Sequence, residues 1–317
     1  MNQSLKAVGL ESGIFDNQSL QWYRSCPQYY DWRANYQLIK PGAKKTAADF
    51  GSAIHFALEH YYKMGMTDVA IQESIEIFSE KFAPSQDPTD EKRSLLKGIS
   101  ILNDYFQRYR HEGFTPIKTE VGGMFSLNQS YLYSCRIDLI LEWPTPKGIY
   151  GMDHKTTSSL GRLIAKPHNQ LTGYEYLLRE TFENVLGFIL NCIGVYATDE
   201  EMDKNLPKVA SPKTGKPIYQ KVKREIFQRL PTTRTKNEIE EWKQQTIHLI
   251  HEIERSTEKK IWPRYTDYCN AFQSKCQFLD LCQAQSKEIY LPLLEAGIYE
   301  KSPWISYDMM GEEGDLQ

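Results

Sequence analysis

The chain lacks most of the features that place a protein in a class at first sight. Met1 to Leu20 has no hydrophobic stretch of the kind a secretory signal needs. The longest apolar run, Val185 to Ala197, is too short to span a bilayer and is interrupted by Asn191. No membrane span is expected, and the reading is a soluble cytoplasmic chain. Net charge is only −3, so no global basic field advertises nucleic acid, and any such binding needs a local patch. Cysteine is scarce, six in 317 residues, which in an intracellular setting argues against a disulfide framework and for metal binding or plain burial. A Gly-x4-Gly-Lys-Ser/Thr phosphate loop is also missing, because Thr214-Gly215-Lys216 lacks the leading glycine. No built-in motor is therefore expected, and any ATPase or helicase would be a partner. There is no internal repeat and no stretch with the composition of an interdomain linker.

What is present is an ordinary globular balance, 40% hydrophobic and 25% charged, rich in Tyr and Trp. Ser19 is a candidate N-cap for a short helix ending near Pro27, and residues 31 to 48 read as irregular. Phe50 to Met64 has helical spacing of Ala53, Phe56, Ala57 and Tyr61, with Asp49 as cap. Thr67 to Phe82 and Glu91 to His111 are two further helices. The period then changes. Ile117 to Leu127, Tyr131 to Trp143 and Ile149 to Thr156 read as strands, the last two joined by the turn-rich Pro144 to Gly148. Gln170 to Phe182 is a helix, Val185 to Tyr196 a buried strand, and Glu238 to Lys259 a helix capped by Asn237. These elements predict an α/β fold, a central mixed β-sheet flanked by helices with a helical N-terminal region. Residues 1–301 form one domain with its core at about 50–200, followed by a mobile acidic tail over 302–317 that carries Asp308, Glu312, Glu313 and Asp315.

Asp153-His154-Lys155 lies in the third strand, where residues i and i+2 share a face. A carboxylate beside an ammonium suits phosphate chemistry: the acid can hold a divalent cation and the lysine can orient a water or steady negative charge. A surface ion pair is the plainer alternative. Asp138, among apolar neighbours in Cys135 to Leu141, needs a partner, and across a hairpin it would lie near Asp153. Two such carboxylates repel unless a cation or proton sits between them, and Mg²⁺ or Mn²⁺ fits oxygen ligands of this kind. Register decides the matter. Pairing Trp143 with Ile149 would set Asp138 opposite His154 and leave the two acids on opposite faces, so a shared site requires a register one residue different, or a bulge. Otherwise Asp138 pairs with Arg136 or a lysine. His55 could complete a Mn²⁺ shell or bond a neighbouring side chain. Glu120 adds a carboxylate or a structural ion pair. Gln170 and Tyr174, one helical turn apart, could touch a phosphate or base or lie on an ordinary surface helix.

The ordered set Gly51-x-x-x-His55, Glu120, Arg136-Ile137-Asp138, Asp153-His154-Lys155 and Gln170-x-x-x-Tyr174 resembles the RecB-type branch of the PD-(D/E)XK nuclease superfamily, over residues 50 to 175. The resemblance implies a restriction-endonuclease-like core. It makes His55, Asp138 and Asp153 metal ligands, His154 a ligand through its backbone carbonyl, and Lys155 catalytic with Asp153, Asp138 and Glu120. Gln170 and Tyr174 become substrate-side residues. Cys135 departs from the family pattern, which often has a small glycine-like residue there.

Cys269, Cys276 and Cys282 cluster near the end of the chain, one short of the four thiolates that suit a [4Fe–4S] cluster or Zn²⁺. Cys26, in an exposed Ser-Cys-Pro context, is the natural fourth, and three incidental cysteines near a helix are the alternative. Ser25-Cys26-Pro27-Gln28-Tyr29-Tyr30 together with Cys276 to Cys282 resembles the iron–sulfur-stapled nucleases, which include the AddB nuclease domain and the CRISPR-adaptation exonucleases. That resemblance implies a cluster tying the chain ends together, although the long gap from Cys269 to Cys276 leaves Zn²⁺ open. A lysine-rich window, Lys204 to Arg224, is either a DNA-contact hairpin or a solvated loop. The expected function is a Mg²⁺- or Mn²⁺-dependent DNA exonuclease or end-processing nuclease in recombination, repair or phage DNA metabolism. The alternative is a non-catalytic DNA-binding scaffold protein with a nuclease-like fold.

Overall fold

The computed structural model describes residues 9–41, 46–203, 205–273, 275–284 and 286–304. Lys204 of the lysine-rich window and the acidic residues of the expected tail lie outside these. In chain order, β1 (Ile14–Asp16) leads into α1 (Asn17–Ser25) and the short α2 (Pro27–Tyr30), followed by β2 (Leu38–Ile39). Asp16, not Ser19, caps α1. Its carboxylate accepts the Ser19 N–H while Ser19 Oγ accepts the Asp16 N–H, so Ser19 is the reciprocal partner of a capping box. The stretch read as irregular holds a π-helical turn at Asp31–Asn35, β2 and the first residues of the next helix.

Three helices follow: α3 (Thr46–Lys63), α4 (Asp68–Phe82) and α5 (Leu95–Tyr109). Because α3 begins at Thr46, Asp49 lies inside its first turn rather than capping it. Ser94 caps α5, which excludes Glu91 to Arg93 from that helix. Phe50, Phe78 and Phe82 meet edge-on and stacked where α3 packs against α4.

The central strands are β3 (Thr115–Ser126), β4 (Leu132–Pro144) and β5 (Lys147–Thr157). Then come α6 (Asn169–Thr181) and β6 (Val185–Gly194). A β excursion contains β7 (Glu200–Asp203), β8 (Val209–Ala210), β9 (Pro217–Ile218) and β10 (Gln220–Lys223), after which the chain re-enters the sheet as β11 (Phe227–Thr232). α7 (Lys236–Lys259) is capped by Thr235 with Glu238 in a capping box, two residues ahead of the expected Asn237. α8 (Leu279–Gln283), α9 (Tyr290–Glu295) and β12 (Glu300–Lys301) end the described chain.

The main sheet has six strands and is mixed, in the order β1-β4-β5-β6-β11 with β3 also on β4. β5 and β6 run parallel through the α6 crossover, while β4 runs antiparallel to both β3 and β5. One face packs Leu139, Leu141, Met152 and Ile193 against α3, α4 and α5; the other packs Ile140, Phe188 and Leu190 against α6 and α7. A third, smaller core of Trp32, Leu38, Phe278, Leu281 and Tyr299 joins the chain ends. β12 pairs antiparallel with β2 there, Lys301 opposite Leu38. The start of the expected tail is fixed: the Trp304 indole donates to the buried Asp16 carboxylate at 2.5 Å, and Arg33 donates to Ser302 O at 2.7 Å. Among the described residues no helix is long and apolar enough to cross a membrane.

Candidate active site and cysteine pocket

The β4–β5 hairpin turns through only Thr145 and Pro146, which sets its register. Trp143 faces Gly148, Glu142 faces Ile149 and Leu139 faces Met152. That is one residue from the pairing of Trp143 with Ile149, and it brings Asp138 level with Asp153, as a shared site requires. The β3–β4 pairs Thr119 with Leu139 and Val121 with Ile137 likewise bring Glu120 level with Asp138. Three acids on three neighbouring strands thus form one row across the sheet. Glu120 sits there with φ 48°, a left-handed backbone that costs a non-glycine residue and is typical of functional positions.

At Asp138 the two strands part. Regular β4–β5 pairing stops at Leu139, and the His154 N–H donates to Asp138 Oδ2 at 2.7 Å instead of to a backbone carbonyl. Further along the same edge of β4, residues 132–134 pair with β1. The cleft between the diverging strands is where the acids lie.

His55 reaches this cleft from α3, its Nδ1 3.4 Å from Asp138 Oδ2. Gly51, one turn earlier, lets the helix come in: a Cβ there would stand 3.0 Å from Thr156 Oγ1 on β5. Donor atoms of His55, Glu120 and Asp138 lie within 4.8 Å of one another. Asp153 is 1% exposed, with both oxygens 2.9 Å from Lys155 Nζ; Oδ1 accepts the hydrogen bond and the buried Oδ2 accepts none. Arg136 pairs with Glu120 at 2.8 Å, not with Asp138.

Electrostatics follow from crowding anions in a water-poor cleft. Burial, then repulsion from Asp138, pushes Asp153 up to about 6. The same causes push Glu120 up to about 8 despite Arg136. Burial would also raise Asp138, but His55, Lys155 and the hydrogen bond from the His154 N–H outweigh it and hold its carboxyl below the ordinary value. For Lys155 burial is outweighed by Asp153 and Asp138, so its ammonium is held above its usual range. Two acids pushed up, one orphaned buried oxygen and an imidazole in reach make a donor set of the kind that takes a hard divalent cation.

The His154 side chain faces the opposite side of β5. It stacks on Tyr62, centroids 5.9 Å apart, and lies 2.8 Å from Asn191 Nδ2. Asn191 Oδ1 is taken by Arg229 Nε at 3.1 Å, so the amide nitrogen faces His154 Nδ1 and the proton of the neutral imidazole sits on Nε2. Burial drives His154 down to about 3, which keeps it neutral. Arg229 in turn pairs with Glu112 and donates to Tyr105 Oη at 3.0 Å. This buried network clamps the strand that carries Asp153 and Lys155. Tyr62, Tyr105, Glu112, Asn191 and Arg229 were not singled out from sequence. The one available signal was Asn191, a lone amide inside an apolar run, which must find a partner when buried.

Gln170 Nε2 donates to Tyr174 Oη at 2.6 Å. Tyr174 is itself 3% exposed, so the half-buried Gln170 is the member of the pair that a ligand can reach.

Some distance along the chain, Cys26, Cys269, Cys276 and Cys282 line one cavity of about 190 Å³ with Tyr29, Arg264 and Phe278. Burial pushes the Cys276 thiol up to about 11, and the three other cysteines act on it in the same direction. The Cys276 N–H donates to Cys269 O at 2.8 Å, and the Tyr265 N–H points at Cys26 Sγ at 3.5 Å. Four thiols converging on one pocket, with a backbone N–H turned to a sulfur, fit a thiolate-ligated metal centre. Cys135 and Cys192 are buried in strands away from it.

A family model described as the PD-(D/E)XK nuclease superfamily matches residues 17–283. Among solved structures, a "Putative exonuclease" from Eubacterium rectale shares 13% identity, covering 86% of this chain and 94% of its own, with a TM-score of 0.42. The protein SSO0001 shares 17% identity over 75% of this chain and 85% of its own, with a TM-score of 0.29. Neither overlay is close enough to bear on the fold or the chemistry. No curated protein sequence matches the chain.

Proposed function

Since the chain belongs to the PD-(D/E)XK nuclease superfamily, we propose that it is a Mg²⁺- or Mn²⁺-dependent deoxyribonuclease that processes DNA ends by hydrolysing phosphodiester bonds. The observation that carries this reading is the row Glu120, Asp138 and Asp153 with Lys155 beside it and His55 above it. His55, Asp138 and Asp153, with Glu120 and the His154 carbonyl, would hold the cation. A bound divalent ion supplies an acidified water and neutralises charge on the phosphate under attack. Lys155 stays an ammonium, so it acts as a donor that orients water and steadies developing negative charge, not as a base. Gln170 contacts the DNA strand, with Tyr174 holding its amide in place.

The four-cysteine pocket is read as the seat of a [4Fe–4S] cluster, with Zn²⁺ as the other occupant its donors allow. Its role is structural: it ties residue 26 to residues 269–282, so that 1–301 works as one nuclease domain. Recombination, repair or phage DNA metabolism in the cytoplasm, with a separate helicase, suits an end-processing enzyme that carries no phosphate loop of its own.

The test is a fluorescent single-stranded DNA assay with Mn²⁺ and with EDTA, run beside the same RNA sequence. Lys155→Ala should lose about 10³-fold in turnover and keep DNA binding. Turnover like the wild type in purified Lys155→Ala, with metal present, refutes the assignment.

A further inference from the structure

Between Val195 and Phe227, both buried, not one described residue is buried. Short isolated strand pairs are marginal in water without a hydrophobic face to pack. Here β7 pairs with β10 and β8 with β9, and neither pair joins the main sheet. Met202 is 64% exposed, Val209 43% and Ile218 41%. An excursion that keeps β structure without a core of its own is built to meet something else.

Its two ends are firmly rooted. Arg224 lies over the Tyr196 ring at 4.2 Å, Arg108 on α5 pairs with Glu225 at 3.1 Å, and Lys97 pairs with Asp199. The acids of the excursion, Asp199 to Asp203, lie at this base, where Lys221 pairs with Glu200 at 3.1 Å and Arg224 with Glu201 at 3.8 Å. Beyond the base the balance changes. From Asn205 to Tyr219 there is no acid, and Lys208, Lys213 and Lys216 are exposed. Lys208 sits 4.7 Å over the Tyr219 ring, a surface that offers a cation and an aromatic face together.

Position matters as much as charge. β6 runs parallel to β5, so both strands end on the same side of the sheet. The Val195 N–H bonds Thr157 O at 2.7 Å, two residues beyond Lys155. The arm therefore springs from the active-site end of the sheet, its root roughly 10 Å from the Lys155 backbone by strand spacing and rise.

We propose that Tyr196–Ile226 is a nucleic-acid clamp whose tip grips the phosphate backbone of the substrate away from the cleavage point, through Lys208, Lys213 and Lys216, with Tyr219 beside them. The inference rests on the nuclease reading of the cleft. An acid-free cationic tip complements a polyphosphate strand, and lysines used as point charges grip it without reading sequence.

The experiment is DNA binding by the full chain in EDTA, over a series of salt concentrations, comparing wild type with the triple variant Lys208→Gln/Lys213→Gln/Lys216→Gln. Cleavage of a tetranucleotide, too short to span cleft and tip, is measured alongside. The clamp predicts that the slope of log affinity against log salt falls by about 2 and affinity near 100 mM salt drops at least about tenfold. Tetranucleotide cleavage should stay within twofold, and the triple Lys→Arg variant should restore the slope. An unchanged slope in a variant of an enzyme that cleaves DNA overturns the clamp alone. Equal loss of tetranucleotide cleavage also overturns it, because the tip would then act on the cleft. Wild-type self-association that the Gln variant or Met202→Ser/Ile218→Ser dissociates, with DNA affinity unchanged, reassigns the arm to a protein partner. A wild type that neither binds nor cleaves nucleic acid defeats the nuclease reading itself, and the clamp with it.

Discussion

Asp153→Asn separates function from stability at the centre of the site. Asp153 is 1% exposed, and burial followed by repulsion from Asp138 raises its pKa to about 6, against an ordinary value of 3.8. The folded chain therefore binds this proton more tightly than the unfolded chain does. Without a cation, stability falls as pH rises from 3.8 through about 6, and the loss is complete above that window. At about 1.4 kcal/mol per pH unit the carboxylate costs the metal-free protein roughly 3 kcal/mol at pH 8. That figure already includes the attraction of Lys155, which works to lower the pKa. Asparagine keeps the shape and removes the charge, so the variant in EDTA should be more stable than the parent by about 2–3 kcal/mol at pH 8 and equal to it near pH 4. A divalent ion stabilises whatever form binds it, by about 2.7 kcal/mol at 100 times Kd. Mg²⁺ or Mn²⁺ should therefore raise the parent's unfolding midpoint and leave the variant's nearly unchanged, while nuclease activity drops by about 10³-fold. Urea unfolding at both pH values, with and without Mn²⁺, reads all of this. A variant less stable than the parent in EDTA at pH 8 would refute the reasoning, since the carboxylate would then be a net contributor to the fold.

Two further outcomes test the scaffold around the site. Cys276→Ala should give colourless, poorly soluble protein, because joining residue 26 to residue 269 closes a very long loop and its release costs on the order of 4 kcal/mol or more; a soluble, brown, fully active variant sinks the staple. Gly98→Ala on α5 should destabilise by about 1–2 kcal/mol in thermal unfolding, as its Cβ would fall 1.9 Å from the Phe78 ring and overpacking outweighs the helix propensity of alanine. Equal or greater stability would mean that the ring moves aside freely.

The α/β class and the central mixed sheet were legible because the period changes sharply after residue 113, and β6 carries a long apolar run broken by Asn191. Family membership was legible in the order of short motifs, none specific alone. Helix starts were less so. Asp16 and Thr235 cap where Ser19 and Asn237 were expected, and α5 starts after Ser94 rather than at Glu91, because several Ser, Thr, Asp and Asn residues compete within a few positions and packing chooses among them. At the start of the expected tail, only the fold reveals that the Trp304 indole donates to Asp16.

The hairpin register shows most clearly what a sequence withholds. A turn of two residues rather than the whole Pro144 to Gly148 stretch moves every cross-strand pair by one, and that single step decides whether Asp138 faces Asp153 or His154. Nothing in the local composition distinguishes the two, since Pro, Thr and Gly all suit either turn. What selects the observed register is the burial pattern on both faces. Leu139 and Met152 must enter the core under α3, while Ile140 and Gly151 face Phe188 and α6. A slip of one would push the glycine position toward α3 and a hydrophobic side chain into the space Phe188 now fills. The acids are thus brought level by apolar packing elsewhere along the same two strands, and the electrostatic cost of that meeting is what a cation at the cleft would relieve.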